Sequence, residues 1–177
     1  MSELVMACDP GGRSGWAEAH MDVDIFELGE SGVLPMRDMG LWLAEQQGVF
    51  YMGNPTRWEH ARRRWEKLIC ESWRPFPRNG GMEWIQGSNL IYAQHVGQVR
   101  LVATLSEAEV VMQEPRDKYR TVNGHRELPP PGYPAALLDI DALSSEQHDQ
   151  DARYHLWVYF FRNWFTSTVD PDACVVT

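Results

Sequence analysis

The sequence predicts an α/β protein: a mixed sheet, antiparallel where it opens and parallel afterwards, flanked by helices. Three observations predict it. The chain opens on an apolar run followed by alternating residues, "ELVMACD" and then "WAEAHMDVDIFELGE". Further short apolar runs, "KLICESW" and "AEVVMQEP", are strand-like. Between and after these runs lie segments with apolar residues at helical spacing.

In order, "ELVMACD" (3–9) reads as a buried strand ending in an acid, and "PGGRSG" as turn chemistry. Residues 16–30 alternate well enough for a strand, with a second one at "VDIFEL", so the opening is a β-meander. Residues 33–49, around "MRDMGLWLAEQQG", predict a short helix. "NPTRWEHARRRWE" predicts another, with Asn54 or Thr56 as cap and Pro55 in the first turn. "KLICESW" (67–73) is the next strand and again carries an acid near its end. "SNLIYAQHVGQVRLVATLSE" (88–107) places Leu90, Ile91, Val96, Val99, Val102 and Leu105 at helical spacing behind a Ser88 cap. "AEVVMQEP" (108–115) follows as a strand. Residues 120–143 contain "LPPPGYP", and consecutive prolines remove donors and fix φ, so this segment is expected to be a long loop. A last helix is expected from Ser144, with Gln147 as its capping-box partner.

At 177 residues, with neither repeats nor an internal linker, the expectation is one domain over 1–177. Apolar content of 44% argues against disorder. No apolar run is long enough for a membrane helix, and "MSELVMACDPGG" lacks the features of a signal peptide. Cys8, Cys70 and Cys174 form no CxxC pair, which disfavours a zinc ribbon or a thioredoxin-like motif and fits a reducing cytoplasm.

The formal charge of −9 is unevenly spread. Residues 1–54 are net −7 and residues 127–177 net −6, whereas residues 55–126 are net +4. The basic residues of that middle third include Arg62, Arg63, Arg64, Arg74, Arg116 and Lys118. Such runs are most often a solvated helix face. They gain weight as a nucleic-acid surface only beside acidic catalytic residues.

Those acids exist. In open α/β sheets functional groups gather at the carboxyl ends of strands, where Asp9 and Glu71 fall. One such acid is usually a turn or cap residue; two, together with an acid-bearing helix, are harder to explain that way. On the last helix, "HDQDARYH" puts His148, Asp151 and His155 within an arc of about 60°, given about 100° per residue. Asp149 points about 160° away from Asp151 and reads as a residue complementing the helix N-terminus. His155 is expected behind the site, at the nucleic acid, or in plain packing. Carboxylates with an imidazole and no thiolate pair suit Mg²⁺ or Mn²⁺, with a histidine-rich zinc site as the competitor. Two such ions can activate water and stabilise a leaving oxygen in phosphodiester cleavage.

At this point the chain resembles a known family. "ACDPGGRSGWA" is similar to the first-strand pattern of RuvC-like resolvases of the RNase H-like superfamily, an Asp followed by Pro-Gly and Thr/Ser-Gly-Trp-Ala. "LICESW" resembles the family's second-carboxylate strand. "LIYAQHVGQVRLVATLSEAEVVMQEPRDK" resembles the helix, strand and lysine-bearing segment that follow, especially in phage-encoded members. "HDQDARYHLWVYFFR" resembles the terminal helix, where the family carries Asp or His, two residues, then Asp-Ala. The resemblance implies metal-ligand and catalytic roles for Asp9, Glu71 and Asp151. It gives His148 a role as ligand or as stabiliser of the pentacovalent phosphorus, and places Lys118 near DNA phosphates. Glu114 is the alternative second acid, but its strand follows the long helix instead of preceding it. The acidity of the chain and residues 31–54 depart from the family pattern.

The reading that results is a metal-dependent endonuclease for four-way (Holliday) junctions and other branched DNA. It would use two Mg²⁺ or Mn²⁺ ions and leave 5′-phosphate and 3′-hydroxyl ends. The resemblance implies a homodimer, because a junction needs two symmetric cuts. Cleavage of RNA–DNA hybrids and a catalytically silent DNA-binding or assembly protein remain the alternatives. An ASKHA-type kinase is rejected, since that fold needs two such domains.

Overall fold

The computed structural model describes residues 2–49, 64–72, 87–115, 120–122, 125–127, 129–130, 132–134 and 148–165. The chain opens as an antiparallel meander: β1 (Glu3–Asp9), β2 (Arg13–Asp22) and β3 (Ile25–Pro35). Helix α1 (Met36–Gln46) follows, then β4 (Lys67–Glu71), α2 (Gly87–Ser106) and β5 (Glu109–Gln113). A two-stranded ribbon, β6 (Arg120–Val122) with β7 (His125–Glu127), precedes α3 (His148–Asn163).

The main sheet has the order β3-β2-β1-β4-β5, with β4 parallel to both β1 and β5. Its two faces follow from strand alternation. Val5, Ala7 and Ile69 point to one face, where α3 packs with Leu156, Trp157 and Phe160. Met6, Cys8, Leu68 and Cys70 point to the other, beneath Met39 and Leu43 of α1 and Val99, Val102 and Ala103 of α2. Strands covered on both faces must be apolar throughout, which is why β1 reads as an unbroken run instead of an alternating one. α3 is buried nearly all round, as its aromatic sequence requires. Phe26 of β3 meets Trp157 edge-on at 5.4 Å, and Tyr133, from the segment before α3, meets Tyr154 edge-on at 4.9 Å.

At the amino ends of the parallel strands, Lys67 is tied down on three sides. Its ammonium lies 2.8 Å from the Tyr159 hydroxyl, 3.2 Å from Glu3 and 3.4 Å from Glu109. Burial alone would lower its pKa, but the hydrogen bonds to Tyr159 and Glu3 outweigh that and raise it.

The structure corrects several boundaries. The turn after β1 is short, and β2 already begins at Arg13. β3 runs on to Pro35, paired with Arg13, so α1 covers 36–46 within the expected 33–49. Ser88 lies inside α2 instead of capping it. The expected loop over 120–143 contains the β6–β7 ribbon. The prolines that argued for a loop begin only after it, at Pro129, whereas "RTVNGHRE" carries the Asn-Gly pair typical of a two-residue hairpin turn. Of the expected helix over 54–66, only Arg64, Trp65 and Glu66 are described, and they are not helical. The expected caps at Asn54, Thr56 and Ser144 lie outside the described residues.

Candidate metal centre at the carboxyl ends of β1 and β4

Cys8 is paired with Cys70 in parallel register, so the next residues, Asp9 and Glu71, emerge side by side on the face that carries α3. α3 delivers two histidines to them. His148 Nδ1 lies 2.8 Å from Asp9 Oδ2, and His155 Nε2 lies 3.1 Å from Glu71 Oε2. One donor atom each from Asp9, Glu71 and His155 fall within 4.8 Å of one another, the one group of at least three such residues among the described residues. Asp9 and His155 are buried and Glu71 is partly so. His148, at 40% side-chain exposure, opens the group to solvent.

The approach of α3 depends on glycine. A Cβ on Gly15, the partner of Asp9 in the β1–β2 ladder, would overlap the backbone carbonyl of His148. A Cβ on Gly11 would lie 3.1 Å from the His148 ring. The turn holding these glycines is braced by Ser14, whose hydroxyl reaches the Gly11 carbonyl at 3.3 Å and His95 Nδ1 at 3.0 Å. Burial pushes His95 down to about 4, against an opposing pull from Asp9, so it is neutral at physiological pH.

The negative field is felt by groups that are not acids. Burial raises the Cys70 thiol to about 12, with Glu71 and Asp9 adding to the rise. Cys8 is raised in the same way, by burial first, then Cys70 and Asp9. Carboxylates gathered in a buried place are costly unless paired or neutralised by a cation. Two carboxylates with one imidazole are a suitable donor set for a divalent ion.

Of the sequence-predicted site residues, the structure brings Asp9, Glu71 and His148 together. Asp151 is half-buried on the same helix and is not part of the 4.8 Å group, although its charge adds to the burial that raises the Tyr154 phenol. Asp149 turns elsewhere: its carboxylate lies 3.5 Å from Arg153, which also donates to Ser31 Oγ of β3 at 2.7 Å. Glu114 lies one residue beyond β5, where Gln113, not Glu114, is paired with Glu71. Arg64 is exposed; Arg62, Arg63, Arg74, Arg116 and Lys118 lie outside the described residues. Sequence reading did not single out Gln113, the polar residue that ends β5 ("EVVMQ") and that the structure buries.

Comparison with solved structures decides the fold. A Thermus thermophilus RuvC in complex with a Holliday junction substrate superposes with a TM-score of 0.60 at 16% identity, over 90% of this chain and 94% of that one. A second structure of Thermus thermophilus RuvC gives 0.52 at 16% identity, over 90% and 95%. The fold is that of RuvC. It is the RNase H-like architecture: a mixed five-stranded sheet between helices, with Asp9 and Glu71 at adjacent carboxyl ends. No protein-family model matches the sequence, and no curated protein matches it. Among the described residues no helix is long and apolar enough to cross a membrane.

Proposed function

We propose that this chain is a metal-dependent, structure-selective endonuclease that cuts four-way junctions and other branched DNA, as one nuclease domain over 1–177. The observation that carries the proposal is the convergence of Asp9, Glu71 and two α3 histidines at the carboxyl ends of β1 and β4 on a RuvC fold. Asp9, Glu71 and Asp151 would hold Mg²⁺ or Mn²⁺. Two such ions, when bound, supply Lewis acidity for phosphodiester hydrolysis that leaves 5′-phosphate and 3′-hydroxyl ends. Asp9 accepts a hydrogen bond from His148 Nδ1, which fixes the imidazole and leaves its other nitrogen for the ion or for the phosphoryl oxygens. Burial of Asp9, with Glu71 partly covered beside it, places their charge in a setting of lower dielectric where it acts more strongly than in water.

The basic middle third, with Arg62, Arg63, Arg64, Arg74, Arg116 and Lys118, would meet the DNA backbone. Two protomers would act on one junction, because its resolution needs two symmetric cuts. The test is a side-by-side titration of Mg²⁺ and Mn²⁺ on four-way junction, flap, linear duplex and RNA–DNA hybrid. The junction is expected to be cut fastest and the linear duplex least. Faster cleavage of the hybrid would move the assignment to an RNase H-type activity, and no cleavage of any substrate would sink it.

A further inference from the structure

His155 lies deeper than the acids, fully buried on α3, and Gln113 holds it at two points. Gln113 Nε2 donates to the backbone carbonyl of His155 at 3.1 Å, and Gln113 Oε1 lies 2.8 Å from His155 Nδ1. The amide can sit only one way round, because a carbonyl accepts and the group facing it must be the NH₂. Oε1 is therefore turned to the ring, and Nδ1 must carry the hydrogen that it accepts. The other ring nitrogen, Nε2, is aimed at Glu71, 3.1 Å from its carboxylate and within the 4.8 Å group that includes Asp9. A histidine that donates one ring N–H to a fixed acceptor while its other nitrogen faces carboxylates has the arrangement of a metal ligand with its supporting partner.

We propose that His155 Nε2 is a nitrogen ligand to the ion held by Asp9 and Glu71, that Gln113 is the positioning residue that fixes it, and that this nitrogen biases the centre toward Mn²⁺ over Mg²⁺. Mg²⁺ demands oxygen ligands and gives up its waters reluctantly, whereas Mn²⁺ accepts imidazole. The inference rests on the metal-centre reading above but not on DNA cleavage. It adds a ligand beyond Asp9, Glu71, Asp151 and His148, from a helical turn after Asp151.

Pulsed EPR of Mn²⁺ bound to the full-length protein, with Mn²⁺ and Mg²⁺ affinities measured by calorimetry, tests it. Wild type is expected to show ¹⁴N coupling that changes to ¹⁵N on labelling the histidines, and to bind Mn²⁺ more tightly than Mg²⁺. The coupling should persist in His148→Ala and disappear in His148→Ala/Asp9→Asn. Adding His155→Gln to His148→Ala should remove the nitrogen coupling that His148→Ala alone retains. Gln113→Leu, which leaves His155 in place, should weaken Mn²⁺ binding about 10- to 100-fold. Should His155→Gln fail to fold, the His148→Ala and Gln113→Leu proteins still decide the matter. Coupling lost in His148→Ala, Mn²⁺ affinity unmoved by Gln113→Leu, or equal affinity for the two ions would overturn the proposal. Junction cleavage is read separately: nitrogen ligation without cleavage sinks the nuclease assignment alone, and cleavage without nitrogen ligation from His155 sinks this one alone.

Discussion

The two ends of the parallel strands treat buried charge in opposite ways. At the amino ends, Lys67 finds two carboxylates and a phenol within 3.4 Å, so its charge is matched on the spot. At the carboxyl ends, Asp9 and Glu71 emerge together and the groups delivered to them are imidazoles, one per acid. A lysine matched by acids is complete within the chain and serves stability. Acids beside imidazoles can instead accept a cation from outside, and this is the end where open α/β sheets carry their function.

Substitutions can break or sharpen that contrast. Glu71→Gln should have the largest effect, removing junction cleavage while leaving the fold, because an amide brings no charge to a divalent ion. Glu114→Gln, one residue past β5, should be mild in the same assay. The reverse order would relocate the centre to the end of β5.

Gly15→Ala comes next. Its new Cβ meets the His148 carbonyl, so α3 must shift away from the acids. A loss of about 1–3 kcal/mol in chemical denaturation is expected from overpacking, with cleavage falling as well. Wild-type stability and activity would mean that α3 does not approach β2 this closely.

Lys67→Met probes the opposite end. It should lower stability by about 1 kcal/mol, since Glu3 loses a buried partner while Glu109 remains largely in water. Cleavage by the folded protein should be unchanged, and a large loss of rate without a loss of stability would dissolve the distinction between the two ends.

Asp149→Asn should have the smallest effect. Its contact with Arg153 and its place in the first turn of α3 are together worth about 0.3–1 kcal/mol, read as a small shift in melting temperature with no loss of cleavage.

How much of this was legible in the sequence depended on distance along the chain. β1, β4 and β5 were readable because strands covered on both faces need continuous apolar runs, and Asp9 and Glu71 were readable as the acids that end two of them. The helical wheel placed His148 and His155 on one face and turned Asp149 away, which is local geometry. The partners of His155 were not local: Glu71 and Gln113 come from neighbouring strands 84 and 42 residues away, and only the β4–β5 register sets them side by side. The end of β3 was missed for the same reason, since residues 31–35 are strand only through pairing with β2. The β6–β7 ribbon was a different failure, in which the following prolines outweighed a local Asn-Gly signal.

The most direct measurement is single-turnover cleavage of a four-way junction by Asp9→Asn in Mg²⁺ and in Mn²⁺, with folding checked by melting and junction binding by gel shift. Asp9 lies between His148 and Glu71 in the centre, so the variant should fold, bind the junction, and cut at least about a thousandfold more slowly, in the range that loss of an essential electrostatic group produces. Near-wild-type cleavage by a folded Asp9→Asn protein would contradict the assignment of the carboxyl ends of β1 and β4 as the catalytic centre.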